Sequence, residues 1–306
     1  MSMSRIDFMR FYDEFAAKYN LEPRHHEFEF DQVLCDGNNL HLDILCKDSK
    51  APVIIFIPGT ATYSLLFGEI LLQIHKGGYT VVGFDPRGHG RSDGKRGSYT
   101  IPELIRDTHA VIHYARNRFH DNVSILGCSQ GGIVAFYTAC IDEKIRTVIC
   151  QNFADLGSKA VFRLTPAPRI FAILNQFGAK IVELFPEYKI PISSYLPLEK
   201  ERVRYYGNVK NWSEQDPFAL TYIRLKTFAS LSNTPLPKRI EEFNIPICVL
   251  QAGRDSVFPL NYTQYLFDKL QCEKELVIMH GLQHVMFTEN PDSLSPVILK
   301  WLDAHV

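Results

Sequence analysis

Six short runs of apolar residues constrain the fold of this 306-residue chain more than any other feature. None of them alternates apolar with polar residues, and each has the length of a strand. Strands of this composition are buried on both faces, as in a parallel sheet covered by helices. The runs are Val53–Ile57, Thr80–Phe84, Val123–Leu126, Thr147–Cys150, Ile247–Leu250 and Leu276–Met279.

Helical patterns separate these runs, so the sequence predicts an α/β protein with a doubly wound, mostly parallel sheet and helices on both faces. Two alternating segments flank Asp36-Gly37-Asn38-Asn39 and predict an antiparallel hairpin at the start of the sheet. Residues 5–19 predict an amphipathic helix that either packs on the domain or presents a surface to lipid or a partner. The other predicted helices are Leu65–His75, Ile101–Phe119, Gly131–Ile141, Leu260–Leu270 and Ser293–His305.

One interval interrupts the alternation of strands and helices. About 90 residues separate the fourth run from the fifth, far more than a usual crossover connection. The interval is rich in aromatic residues and proline, and its apolar content requires burial. We therefore predict a helical cap over the sheet. The predicted domains are a first core segment (1–156), the cap (157–244) and a second core segment (245–306).

Charge and cysteine content exclude several classes of partner and site. The 33 basic and 34 acidic residues give a formal charge of -1, so no nucleic-acid partner is expected. The first 20 residues carry three acidic side chains, and no secretory signal is predicted. Seven cysteines without a CxxC pair favour free thiols and a cytoplasmic location. We expect neither a metal nor an organic cofactor.

The stretch Gly127-Cys128-Ser129-Gln130-Gly131 fits the G-x-S-x-G pattern of a nucleophile elbow. It lies where an apolar strand meets a helical pattern, and a sharp strand-to-helix turn leaves no room for side chains two positions on either side of the serine. A plain Gly-Ser turn at a helix N-terminus is the alternative. Ser129 is the predicted nucleophile, and Cys128 is interpreted as a core thiol.

A serine nucleophile needs a base and a group that orients the base. His284 follows the last predicted strand, and Asp255 follows the strand before it, which places both at the carboxyl edge of the sheet with Ser129. His280 is the alternative base and Asp155 the alternative acid. The order serine, acid, histidine is that of the α/β-hydrolase triad.

Two backbone amides are candidates for an oxyanion hole. The helix predicted from Gly131 points its N-terminal amides and its positive dipole end at the nucleophile, and the amide of Gln130 is the first predicted donor. Thr60 lies in the loop after the first apolar run, where Gly59 permits a tight backbone. The neighbouring loop 85–93 is interpreted as structural, with packing or hydrogen-bonding roles for Arg87 and His89.

Together, "FIPGTATYS", "FDPRGHGRSDGKRGSY", "GCSQGG", "AGRDSVFP" and "GLQHVMF" resemble the α/β-hydrolases, and within them the monoacylglycerol lipase and lysophospholipase-like serine hydrolases. The resemblance implies the α/β-hydrolase fold and the roles proposed above for Ser129, Asp255 and His284, with Thr60 and Gln130 as oxyanion donors. Pro58 stands where this family commonly has histidine. An aspartate nucleophile is absent, which argues against dehalogenase and epoxide hydrolase chemistry.

The predicted cap suggests the substrate. Residues 169–185 predict an apolar helical stripe that either packs within the cap or in part lines an acyl channel or touches lipid. On the second interpretation, Phe171, Leu174 and Phe177 are predicted to bind substrate. A small-molecule ester or lipid with an apolar acyl chain is expected, monoglyceride- or lysophospholipid-like, with a transient membrane contact through the cap as a further possibility. A thioesterase, an acyltransferase and a non-catalytic binding module remain alternatives. The sequence does not indicate an oligomeric state.

Overall fold

The computed structural model describes residues 5–158 and 181–306. The strands within these two ranges are β1 (Glu29–Cys35), β2 (Asn38–Leu45), β3 (Val53–Ile57), β4 (Thr80–Phe84), β5 (Val123–Cys128), β6 (Val148–Gln151), β7 (Lys189–Pro191), β8 (Tyr222–Arg224), β9 (Ile247–Ala252) and β10 (Lys274–Met279). Eight of them form one mixed sheet in the order β1-β2-β4-β3-β5-β6-β9-β10, and the two short strands β7 and β8 pair separately. All six apolar runs are strands of the large sheet, as predicted.

The register of the sheet aligns the carboxyl ends of its central strands. The β1–β2 and β2–β4 pairs are antiparallel, and every other pair in the large sheet is parallel. Ile57 at the end of β3 pairs with Gly127, and Cys128 at the end of β5 pairs with Gln151. The loops that follow these strands therefore start at one edge.

The helices cover both faces of the sheet. Along β3, Val53, Ile55 and Ile57 join one apolar core while Ile54 and Phe56 join the other, so the strand has no polar face. The helices in the described part of the chain are α1 (Arg5–Tyr19), α2 (Gly68–Lys76), α3 (Ile101–Arg118), α4 (Gln130–Ala139), α5 (Val209–Gln215), α6 (Leu225–Asn233), α7 (Leu260–Phe267), α8 (Met286–Glu289) and α9 (Pro291–His305). Helices α3 and α4 contact each other, as do α2 and α9.

Other sequence-based expectations about the core are confirmed. All seven cysteines are free thiols. The predicted structural loop is held by a buried ion pair and by buried hydrogen bonds. Arg87 donates to Asp107, and Asp85 accepts from the backbone amides of Ser64 and Arg91. The helix predicted from Leu65 instead begins with a 3₁₀ turn, and α2 starts at Gly68.

The described part of the predicted cap contains β7, β8, α5 and α6. β7 pairs with β8 in antiparallel register, with Ile190 opposite Ile223. The limits 1–156, 157–244 and 245–306 stay a prediction. Across residues 5–158 and 181–306, no helix combines the length and the apolar character needed to cross a bilayer.

Candidate active site

The turn between β5 and α4 holds Ser129 in a conformation that side chains rarely adopt. Its φ is 54° and its ψ is -118°, outside the favoured regions for an L-residue. Close packing allows this turn only with glycine on both sides. A Cβ on Gly127 would collide with the backbone of Gly131, and a Cβ on Gly131 would collide with the carbonyl oxygen of Ile57.

The structure brings the three predicted side chains together. His284 Nε2 lies 2.8 Å from Ser129 Oγ, and His284 Nδ1 lies 2.9 Å from Asp255 Oδ2. Asp255 lies in the turn after β9, and His284 lies in the loop after β10. The continuous hydrogen-bonded chain from carboxylate to imidazole to hydroxyl is the arrangement that lets an imidazole accept the serine proton.

Neighbouring groups fix the orientation of Asp255 and His284. Asp255 Oδ1 accepts hydrogen bonds from the backbone amides of Val257 at 2.8 Å and Phe258 at 2.7 Å, which leaves Oδ2 for the imidazole. The ring of Phe258 stacks on that of His284 with an interplanar angle of 5°. Burial lowers the pKa of His284, but Asp255, with a smaller contribution from Glu201, outweighs it, so the pKa lies above its usual value.

Three other residues have the chemistry of a base, an acid or a nucleophile, namely His280, Asp155 and Cys128. His280 is exposed. Asp155 accepts a hydrogen bond from the backbone amide of Gly157. Cys128 is buried, and burial raises the pKa of its thiol far above the usual range, which disfavours the nucleophilic thiolate. None of the three takes part in the chain of hydrogen bonds between Ser129, His284 and Asp255.

The loop after β3 lies against the elbow. A Cβ on Gly59 would lie 3.3 Å from the Cβ of Ser129. Thr60 Oγ1 donates to Gln130 Oε1 at 2.8 Å, and this side-chain hydrogen bond joins the loop to the first residue of α4. The amide of Gln130 has no acceptor within its own helix, as expected of a first helical residue. Thr60 and Gln130 are therefore adjacent beside Ser129, as the oxyanion-hole hypothesis requires.

A cavity of about 320 Å³ opens onto Ser129 and His284. Most of its lining is apolar or aromatic. Helix α1 contributes Phe11, Tyr12 and Phe15, and the cap contributes residues that include Ile192, Leu196 and Leu198. The predicted substrate-binding residues Phe171, Leu174 and Phe177 lie outside the described residues.

Helix α1 is anchored to the cavity wall through a buried polar chain that sequence analysis did not find. Tyr12 donates to the hydroxyl of Tyr63 at 2.8 Å, and Tyr63 donates to Asp216 Oδ2 at 2.6 Å. Trp212 Nε1 also donates to Asp216. Burial raises the pKa of Asp216 above its usual value, although these hydrogen bonds oppose the shift.

Glu201 is a second residue that sequence analysis missed. Only 1% of its surface is exposed, and it lines the catalytic cavity. Its Oε1 accepts hydrogen bonds from the amide and the hydroxyl of Ser256, next to Asp255. Among the residues that the structure describes, none donates a hydrogen bond to its buried Oε2. This oxygen can accept a donor from a molecule in the cavity.

The strand order and the strained serine between β5 and α4 place the protein in the α/β-hydrolase class. The chain belongs to the Hydrolase_4 family, described as serine aminopeptidase, S33, whose sequence model matches residues 48–291. It is therefore a hydrolase by family, and its fold agrees with that assignment.

Individual relatives are distant in sequence. The chain is 24% identical over 264 residues to a monoacylglycerol lipase of Mycolicibacterium smegmatis, covering 83% of this chain and 89% of that protein. It is 23% identical over 269 residues to the bifunctional esterase/perhydrolase DCH of Acinetobacter calcoaceticus, covering 85% and 96%. The crystal structure of Paleococcus ferrophilus monoacylglycerol lipase aligns with a TM-score of 0.71 at 21% identity, covering 87% and 99%, and supports the fold.

Proposed function

We propose that the protein hydrolyses carboxylic esters with an apolar acyl chain through an acyl-enzyme on Ser129. The observation that carries this proposal is the hydrogen-bonded chain from Asp255 through His284 to Ser129, which opens onto a mostly apolar cavity. The family membership and the esterase and lipase relatives support ester hydrolysis.

In the first half-reaction, Ser129 Oγ attacks the ester carbonyl while His284 Nε2 takes the hydroxyl proton. The carbonyl oxygen becomes an oxyanion, and the amides of Thr60 and Gln130 are the proposed donors to it. Asp255 stabilises the imidazolium that forms. The C–O bond to the alcohol then breaks, and His284 returns the proton to the leaving alkoxide.

In the second half-reaction, water takes the place of the alcohol. His284 removes a proton from this water as its oxygen attacks the acyl carbon, and a second oxyanion forms at the same site. Collapse of this intermediate returns the proton to Ser129 Oγ and releases the fatty acid. The same residues thus serve both halves of the cycle.

The cavity favours a monoglyceride over a lysophospholipid. Apolar side chains from α1 and the cap suit an acyl chain, with up to about 0.8 kcal/mol gained per buried methylene. The buried carboxylate of Glu201 suits a hydroxyl donor of a glycerol moiety, because its Oε2 has no hydrogen-bond donor among the described residues. A phosphate group near the same carboxylate would be repelled.

The cap also presents apolar side chains to solvent. Leu184, Phe185 and Tyr188 are exposed, beside Lys189. We include in the proposal a transient contact of this segment with a lipid surface that supplies the substrate. Sedimentation with phospholipid vesicles tests it, and replacement of Leu184 and Phe185 by serine should reduce the bound fraction.

The test of function combines covalent labelling with a substrate panel. A fluorophosphonate probe should label the wild-type protein and not Ser129→Ala. Hydrolysis of p-nitrophenyl esters from two to sixteen carbons should rise with chain length, by up to about fourfold per methylene, until the cavity is filled. Monoglyceride, lysophospholipid and acyl-CoA are then compared directly.

Each alternative has a distinct outcome in this test. Faster turnover of acyl-CoA than of esters would indicate a thioesterase. Product that requires an added alcohol would indicate an acyltransferase. Absence of labelling in the wild-type protein would indicate a non-catalytic module and overturn the proposal.

A further inference from the structure

A cluster of two imidazoles and a carboxylate lies outside the catalytic cavity, where α1 meets the 3₁₀ turn Arg24–Glu27. His25 Nε2 lies 3.0 Å from Asp13 Oδ1, and His26 Nε2 lies 2.9 Å from the same oxygen. All three donor atoms lie within 4.8 Å of one another. We propose that Asp13, His25 and His26 bind a divalent d-block cation such as Zn²⁺.

The chemistry of the donors selects the class of metal. Imidazole nitrogen suits Zn²⁺, Co²⁺, Ni²⁺ and Cu²⁺, whereas Mg²⁺ and Ca²⁺ prefer oxygen ligands. Two nitrogens and one carboxylate oxygen supply three positions of a tetrahedral Zn²⁺ site. Half of the Asp13 side chain and 53% of that of His26 are exposed, so water can supply the fourth ligand.

Two of the three donor spacings are close to those around such an ion. Tetrahedral bonds of 2.0–2.1 Å to Zn²⁺ separate neighbouring donors by about 3.3 Å. The carboxylate oxygen lies 3.0 Å from the nitrogen of His25 and 2.9 Å from that of His26, and the two nitrogens lie within 4.8 Å of each other.

The two rings converge on one point. Both imidazoles direct Nε2 at the same carboxylate oxygen of Asp13, so the two nitrogen donors and the oxygen donor face one another. A metal ion between them would replace both hydrogen bonds, and each ring would bind it through an unprotonated Nε2.

The proposed metal site adjoins a residue that lines the catalytic cavity. Asp13 follows Tyr12, whose side chain lines the catalytic cavity and contacts the ring of His25 at 5.5 Å between centroids. A metal ion bound to Asp13 and to the histidines of the turn would fasten α1 to the segment that leads into β1. Metal occupancy would thereby stabilise the α1 side of the cavity wall.

Isothermal titration calorimetry of the untagged full chain with Zn²⁺ tests this site. We expect one saturable site per chain in the wild-type protein. Asp13→Asn keeps the size of the side chain but removes its charge, and His26→Ala removes a half-exposed ring, so both variants should fold. Each should weaken binding at least about tenfold, because loss of only an outer-shell partner of a metal ligand already costs about 10–100-fold in other metal sites. His113→Ala, at an exposed histidine far along the chain, is the matched control and should bind as the wild type does.

Two results would overturn the proposal. One is the absence of saturable binding up to millimolar Zn²⁺ in the wild-type protein. The other is wild-type affinity in either Asp13→Asn or His26→Ala, since the ion would then lie elsewhere, for example at His284. Circular dichroism of each variant confirms that a lost signal does not reflect unfolding. Zn²⁺ should also raise the thermal midpoint of the wild-type protein and not that of Asp13→Asn.

Discussion

Replacement of Asp255 by asparagine should change the tautomer of His284 while keeping the shape of the site. Two backbone amides, those of Val257 and Phe258, donate to Asp255 Oδ1 at 2.8 and 2.7 Å. In the Asp255→Asn variant the amide oxygen has to occupy this position, because an NH₂ group cannot accept these two donors. The NH₂ group then faces His284 Nδ1, 2.9 Å from the present Oδ2.

The consequence for catalysis follows from the proton positions. With an NH₂ donor opposite, Nδ1 becomes the acceptor and Nε2 carries the proton, so Nε2 cannot accept the proton of Ser129. A wrong imidazole tautomer of this kind lowers kcat by about 10⁴-fold. That factor corresponds to about 5 kcal/mol of lost transition-state stabilisation. KM should change little, because Asp255 is 1% exposed in its side chain and does not line the cavity.

Steady-state hydrolysis of the best p-nitrophenyl ester measures this effect, and the rate of fluorophosphonate labelling should fall in parallel. Asp155→Asn is the matched control, since this carboxylate follows β6 at the same edge of the sheet, and its kcat should stay within about twofold of the wild-type value. A kcat for Asp255→Asn within tenfold of the wild type would refute the assigned role of Asp255.

Three further predictions concern pH, specificity and stability. kcat/KM should rise with pH through a midpoint above 6.5, because nearby carboxylates raise the pKa of His284 and only the neutral imidazole can accept the proton of Ser129. A midpoint below 6.5 in the measured pH profile would contradict this prediction. Glu201→Gln should lower that midpoint and reduce the kcat/KM ratio of monoglyceride to lysophospholipid, and an unchanged ratio argues against its substrate role. Gly131→Ala should cost about 1–3 kcal/mol in urea unfolding, because its Cβ meets the carbonyl of Ile57, whereas Gly68→Ala, with no atom nearer than 3.6 Å, is the control.

The strands and the three central site residues could be predicted because local patterns encode them. In β3, successive side chains enter opposite apolar cores, so the run Val53–Ile57 lacks alternation and indicates a strand buried on both faces. Ser129 is marked by the glycines that its strained turn requires. Asp255 and His284 each follow a predicted strand, and parallel strands end at one edge of a sheet.

Glu201 and the role of α1 could not be predicted, because both depend on distant packing. In the sequence, Glu201 looks like any surface acid, and its burial results from Ser256, 55 residues further along the chain. The helical period of α1 was visible in the sequence. The turn at Arg24–Glu27 and the chain Tyr12–Tyr63 decide which of its aromatic residues reach the cavity, and neither leaves a local signal.

The position of helix α1 in the sequence, before the family match, bears on the evolution of substrate choice. The family match begins at residue 48, whereas Phe11, Tyr12 and Phe15 lie near the start of the chain and still border the space beside Ser129. Part of the wall that would set the proposed choice of acyl group is thus encoded outside the family match, whereas Ser129, Asp255 and His284 lie inside it. We expect chimeras that exchange this leading helix between homologues to alter substrate choice and to keep the proposed chemistry.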